Sequence, residues 1–269
     1  CMISVEVFFG TGAHIERMSL EAARRADAGE RVQLVDVHER YGDTSTIVLP
    51  KRHGRTLCLP AGFFESVESR LREFGEAREQ YETAGIPWRF GVLLAGTPGT
   101  GKTSLAHALA SHLNLRLVVI PLADMESDRE LIGSFRGVTE RAIVLIEDVD
   151  CAFKQRDADA AAGISFSGLL NCIDGLVAPH NGRILIMTTN HPEKLDPALV
   201  RPGRVDLNVS VPALDRQAAL DYVDRIFPHV PMRHAIVDEV MATETSTGAP
   251  ATPAVLINRI CLLYTSPSP

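Results

Sequence analysis

The eight residues Gly96-Thr97-Pro98-Gly99-Thr100-Gly101-Lys102-Thr103 constrain this chain more than any other stretch. They follow the pattern G-x-x-x-x-G-K-[ST], and their flanks fix how that pattern must fold. Phe90-Gly91-Val92-Leu93-Leu94-Ala95 is a short apolar run that reads as a buried strand, and Ser104 to Leu113 reads as a helix. Strand, glycine loop and helix together make a phosphate cradle. Glycines let the backbone wrap an anion without Cβ clashes. Successive N–H groups and the helix N-terminus then point inward. In such a loop Lys102 reaches the β- and γ-phosphates, and the Thr103 hydroxyl ligates Mg²⁺. The nucleotide-binding set is therefore Gly96, Thr97, Pro98, Gly99, Thr100, Gly101, Lys102, Thr103 and Ser104.

A second constellation lies downstream. Ala142-Ile143-Val144-Leu145-Ile146 is an apolar strand that ends in Glu147-Asp148-Val149-Asp150. Acids at the C-terminal end of a strand beside a phosphate loop divide two tasks: one holds Mg²⁺ and the next polarises the attacking water. Thr103, Glu147 and Asp148 are the expected metal set, with Glu147 and Asp148 also catalytic. Leu185-Ile186-Met187-Thr188-Thr189 is another apolar strand, ending on Asn190, whose amide can orient water or touch a γ-phosphate. Beyond it, Arg201 and Arg204 bracket a proline turn in Leu195-Asp196-Pro197-Ala198-Leu199-Val200-Arg201-Pro202-Gly203-Arg204-Val205-Asp206. Guanidinium offers a fixed fork of donors suited to phosphate.

The rest of the chain frames these motifs. Residues 1–60 read as the end of a β-rich N-terminal domain, with strands near 4–9, 31–37 and 45–49 and a charged helix over 15–28. Apolar positions at Phe64, Val67, Leu71, Phe74 and Ala77 predict one amphipathic helix from Phe63 to Tyr81. Strands are expected at Leu115–Ile120, Ala142–Ile146, Arg183–Thr188 and Val205–Val211, with helices between the earlier ones. That alternation implies a parallel sheet covered on both faces. The fold class is α/β, a P-loop NTPase core over 61–211 with a helical lid over 212–260, truncated by the last nine residues. Those residues, 261–269, read as a translated sequencing adaptor rather than native chain.

Composition narrows the function. The hydrophobic fraction of 45% and charged fraction of 23% are those of an ordinary globular protein, and the formal net charge of −7 gives no basic footprint for nucleic acid. The five cysteines form no C-x-x-C pair, which excludes a disulfide framework or zinc site and favours a reducing compartment. No apolar run reaches the length of a membrane span.

Taken together, the loop, IVLIEDVD, MTTN and LDPALVRPGRVD resemble those of an AAA+ ATPase, over roughly Arg55 to Ile260. Gly85-Ile86-Pro87-Trp88-Arg89-Phe90-Gly91, Ile146 to Phe153 and Ser167-Gly168-Leu169-Leu170-Asn171-Cys172-Ile173-Asp174-Gly175 further resemble the Rieske-protein translocase branch. That branch is the chaperone-type AAA ATPase of cytochrome bc complex assembly, with bacterial relatives. The resemblance implies ATP and Mg²⁺ as cofactors, Glu147 and Asp148 as first and second acids, and Asn190 as sensor. Most AAA proteins read Asp-Glu, so the reversed order leaves open which acid is the base. It also implies that Arg201 and Arg204 are fingers reaching a neighbouring subunit's γ-phosphate, hence a homo-oligomeric ring. A protein substrate is expected and nucleic acid is not. The location is cytoplasmic, or the cytoplasmic face of a membrane if the missing N-terminus carries an anchor. Threading unfoldases carry an aromatic-hydrophobic-Gly loop after the second strand; Pro121 to Arg141 lacks one, Gly133-Ser134-Phe135-Arg136-Gly137 being nearest. Two competing functions are an assembly scaffold with slow turnover, against which the intact Lys102, acids, Asn190 and arginines count, and a DNA-associated loader, against which the charge counts.

Overall fold

The computed structural model describes residues 32–38, 44–150, 163–174, 182–247 and 250–265. The expected strand at 4–9 and helix at 15–28 lie outside them. In chain order the strands are β1 (Val32–His38), β2 (Thr44–Pro50), β3 (Arg89–Ala95), β4 (Arg116–Val119), β5 (Ala142–Ile146), β6 (Arg183–Thr189) and β7 (Leu207–Ser210). The α-helices are α1 (Phe63–Glu76), α2 (Arg78–Ala84), α3 (Lys102–Leu113), α4 (Asp128–Gly137), α5 (Phe166–Asp174), α6 (Arg216–Ile226), α7 (Arg233–Thr247) and α8 (Pro253–Thr265).

The strands form one sheet among the described residues, ordered β2-β1-β4-β5-β6-β3-β7. The pairs β1–β4, β4–β5, β5–β6, β6–β3 and β3–β7 are parallel, and β1–β2 is antiparallel. This is the α/β architecture expected of a P-loop NTPase. Side chains of a strand alternate between faces, and the core divides accordingly. Val92, Leu94, Ile143, Leu145, Ile184 and Ile186 pack with Phe64, Val67 and Leu71 of α1 and Leu105 and Leu109 of α3. Leu93, Val144, Ile146, Leu185 and Met187 pack on the opposite side with Leu131 and Phe135 of α4 and Leu169 and Ile173 of α5. Every residue of β5 and β6 is buried, which is why both read as continuous apolar runs. A third cluster joins α6, α7 and α8 through Tyr222, Val223, Val237, Val240, Leu256 and Ile260.

Several boundaries differ from expectation for tertiary reasons. The single helix over 63–81 is two, broken at Ala77, whose N–H donates to the Phe74 carbonyl three residues back. The Trp88 indole donates to the same carbonyl at 3.2 Å, so a contact from beyond the helix captures its end. The strand at 205–211 begins at Leu207. Asp206 is held first, its N–H donating to the Gly91 carbonyl and its carboxylate accepting from the Gly91 N–H, both at 2.8 Å. Helix α8 continues through Thr265, into residues set aside as adaptor. Phe135, the aromatic of the Gly133–Gly137 stretch, is a core residue of α4, 2% exposed. Asp215 caps α6, accepting from the Gln217 and Ala218 N–H groups.

Candidate nucleotide site

Sheet order assembles the site. Strands β5, β6 and β3 are neighbours, so their C-terminal ends deliver Glu147-Asp148, Asn190 and the glycine loop to one place. Ligands of open parallel sheets bind at this end. The loop begins where the Gly96 N–H donates to the Thr189 carbonyl at 3.2 Å. Gly99 and Gly101 turn through the left-handed region, at φ 83° and 93°. Gly101 precedes α3 without any side-chain cap, leaving the first-turn N–H groups for an anion. A Cβ on Gly96 would lie 2.6 Å from the Val211 carbonyl, so that position has no room for a side chain.

Lys102 is the centre of the site. Only 7% exposed, its ammonium donates to the Gly96 carbonyl at 2.8 Å, the Thr97 carbonyl at 3.1 Å and Asn190 Oδ1 at 2.6 Å. Burial pulls its pKa down, and the charges of Asp148 and Asp150 push it back up. Asn190 spends its other end on Asp148, Nδ2 donating to Oδ1 at 3.0 Å. Thr103 Oγ1 donates to Glu147 Oε1. The two acids thus face different partners: Glu147 the loop hydroxyl, Asp148 the Asn190 amide. Asp148 sits at φ 47°, a left-handed conformation that non-glycine residues rarely adopt. Its N–H donates to Thr188 Oγ1 at 3.0 Å.

These groups line a cavity of about 410 Å³, with Pro98, Gly99, Thr100, Gly101, Lys102, Thr103, Ser104, Glu147, Asp148 and Asn190 on its walls. Residues that sequence reading did not single out close the far side: Leu57, Cys58 and Leu59 from the segment before α1, and Pro253, Ala254 and Ile257 from α8. No local motif marks them, because they are distant in sequence from the loop and meet it only in the folded chain. Burial pushes the Cys58 thiol up to about 12. A larger cavity of about 770 Å³ lies elsewhere, between β1, β4 and α4, and shares no residue with the loop. Among the described residues no cluster of three or more His, Cys, Asp or Glu forms a metal site by itself. The donor set at the loop is instead one hydroxyl and two carboxylates, hard oxygens of the kind that hold Mg²⁺ together with nucleotide phosphates.

Arg201 and Arg204 stand outside this cavity. Arg201 is exposed and its side chain has no partner among the described residues. Arg204 is committed within the chain: Nε donates to Asp174 Oδ2 at 2.6 Å and NH1 to the Ala198 carbonyl at 2.6 Å. Sequence reading also left Asp150 without a role, though it lies two residues past Asp148. It is 4% exposed and accepts from Thr189 Oγ1 and the Asn190 N–H.

A parallel sheet, a glycine loop at a strand end and an opposing pair of acids define a P-loop nucleoside triphosphatase fold. The family model that matches, over residues 92–213, is that of the ATPase family associated with various cellular activities (AAA). That match spans 122 of the 269 residues, and the chain's similarity extends to BCS1-type chaperones. It is 40% identical over 202 residues to the probable mitochondrial chaperone bcs1 of Schizosaccharomyces pombe, covering 73% of this chain and 45% of that protein. It is 40% identical over 187 residues to the mitochondrial chaperone BCS1 of Bos taurus, covering 66% and 44%. To protein HYPER-SENSITIVITY-RELATED 4 of Arabidopsis thaliana it is 35% identical over 189 residues, covering 63% and 33%. The chain therefore spans less than half the length of these relatives. No helix among the described residues is long and apolar enough to cross a membrane.

Proposed function

We propose that this chain hydrolyses ATP to ADP and phosphate with Mg²⁺, as a subunit of a homo-oligomeric ring that moves or remodels a protein substrate. The observation that carries the reading is the bridge from Lys102 through Asn190 to Asp148, which couples the ammonium of the glycine loop to an acid at the end of β5. Bound at the loop, Mg²⁺ would draw charge off the transferring phosphoryl group. Thr103 and Glu147 would hold it, supported by their mutual hydrogen bond. Lys102 would exchange its loop carbonyls for phosphate oxygens. Asn190 would orient a water whose proton Asp148 Oδ1 or Oδ2 accepts. Their neighbours support this order of acids: Asp148 faces the amide and Glu147 the hydroxyl.

The ring and the substrate rest on the match to the AAA family model and on relatives named as chaperones. Arg201, exposed and without a side-chain partner among the described residues, suits the finger that crosses to a neighbour. Arg204, tied to Asp174, holds the segment that carries it. Residues 61–211 would form the ATPase core and 212–260 the lid, with 1–60 the end of a preceding domain that lends β1 and β2 to the sheet. The proposed location is the cytoplasm, or the cytoplasmic face of a membrane if a segment upstream carries an anchor.

The test is a pair of substitutions. Asp148→Asn should bind ATP as the parent does and lose hydrolysis by about 10²–10⁴-fold, the usual worth of a positioned base. Glu147→Gln should instead raise the Mg²⁺ concentration needed for half-maximal rate. Exchange of the two phenotypes would reverse the roles, and unchanged hydrolysis in both would refute the site.

A further inference from the structure

We infer that Asp150 is a positioning residue for the sensor amide: it clamps the end of β6 so that Asn190 stands between Lys102 and Asp148. The inference rests on the proposed hydrolytic role of Asn190 and assigns a task to the last acid of the IVLIEDVD run, which sequence reading left without one.

Asp150 is buried, 4% exposed. Its Oδ1 accepts from Thr189 Oγ1 at 2.9 Å and from the Asn190 backbone N–H at 3.3 Å. Thr189, fully buried, in turn accepts at Oγ1 from the His191 N–H at 3.0 Å. One carboxylate oxygen therefore fixes the hydroxyl and the peptide on either side of the Thr189–Asn190 link, at the point where β6 ends. From that fixed peptide the Asn190 side chain accepts from Lys102 and donates to Asp148. Asp150 itself does not line the cavity. It acts through Asn190, and its position is set by the turn after β5, where the Asp148 and Val149 N–H groups donate to the hydroxyl and carbonyl of Thr188. The ends of β5 and β6 are thus stitched in both directions, and Asp150 is the return stitch.

A buried acceptor removed from two donors leaves both unpaired, and the amide they carry then loses its fixed aim. Loss of aim of about 1 Å in a reacting group costs on the order of 10²-fold in rate. Asp150→Ala should therefore lower kcat by about that factor while KM for ATP changes by less than about threefold, since phosphate binding through Lys102 and the loop remains. Asp150→Asn keeps an oxygen in place to accept both bonds and should recover most of the rate. In the Asn190→Ala background, Asp150→Ala should add little further loss.

The closing experiment measures kcat and KM for the parent, Asp150→Ala, Asp150→Asn, Asn190→Ala and the double variant of the whole chain. Beside it runs residue-resolved hydrogen exchange on the nucleotide-free protein. Protection of the Asn190 N–H should fall at least about tenfold in Asp150→Ala and persist in Asp150→Asn. Unchanged Asn190 protection in Asp150→Ala would overturn the proposal, whatever the rates. So would equal rate losses from Asp150→Ala in the presence and absence of the Asn190 side chain, which would mark a general structural role. If Asn190→Ala leaves kcat at the parent value, the sensor reading of Asn190 fails instead, while the exchange result still decides whether Asp150 holds that peptide.

Discussion

Single residues carry most of the chemistry proposed for this chain, and Lys102 is the most exacting of them. Its ammonium is buried and already holds three acceptors, two of them carbonyls of the loop that would receive the phosphates. Lys102→Ala should abolish tight nucleotide binding, measured by titration with a fluorescent ATP analogue; binding at the parent's affinity would exclude the phosphate-loop reading. A different residue sets an acid limit on stability. Burial, and then the charge of Arg52, lower the pKa of His107 on α3, and its Nε2 is buried without a hydrogen-bond partner among the described residues. The unfolded chain then takes up this proton first, so the fold binds fewer protons than the unfolded state below the ordinary histidine pKa of about 6.5. The stability associated with neutral His107 is whole above that pH and is lost as pH falls towards the folded-state pKa. Denaturant midpoints should fall between pH 7 and pH 5.5. In His107→Leu the fall should be shallower by up to one proton's worth, about 1.4 kcal/mol per pH unit. An identical slope in the variant would show that other groups set the limit.

At the scale of elements, the loop, the two acids and Asn190 were legible because each sits at a junction where an apolar run meets polar residues. Chain-local pattern suffices for that. It does not suffice for Ala77, where the apolar spacing continues but the Trp88 indole captures the helix end. Nor does it reveal that Arg204 answers to Asp174, thirty residues away. Paired in sequence with Arg201, Arg204 reads as a second finger, and only the packing of α5 against that segment shows that its guanidinium also has partners within the chain. Gly91 is a similar case. In sequence it is a weak point in β3; in the structure a Cβ there would lie 1.8 Å from the Arg204 carbonyl. Gly91→Ala should force β3 and the 204–206 segment apart and cost about 1–3 kcal/mol or more, as overpacking does. A thermal midpoint within about 1 °C of the parent would mean that the segment yields without loss.

At the scale of the whole molecule, the two arginines make separable predictions. Arg204 is mostly buried and bonded twice inside the chain, so Arg204→Ala should lower the midpoint of thermal unfolding even in an isolated subunit. Leaving Asp174 and the Ala198 carbonyl without their partner should cost about 1–3 kcal/mol. Arg201→Ala should leave that midpoint alone and remove hydrolysis, since a finger supplies roughly 10³–10⁵ in rate. Rings mixed from Arg201→Ala and Asp148→Asn subunits should regain activity at interfaces that join an intact acid to an intact finger. Full hydrolysis by Arg201→Ala alone, or by a strict monomer, would exclude a finger acting across subunits.

One contact between loop and lid has a mechanical meaning. The Ala254 N–H at the start of α8 donates to the Gly99 carbonyl at 3.3 Å, and a Cβ on Gly99 would lie 2.9 Å from Thr252 Oγ1. The phosphate loop and α8 therefore meet at a backbone hydrogen bond, with the side chains of Thr252 and Ala254 nearest to where a Gly99 Cβ would stand. Helix α8 is 13 residues long, about 20 Å from end to end, and shares one apolar core with α6 and α7. Through that contact a displacement of Gly99 would be passed to α8 and, by the shared core, to α6 and α7.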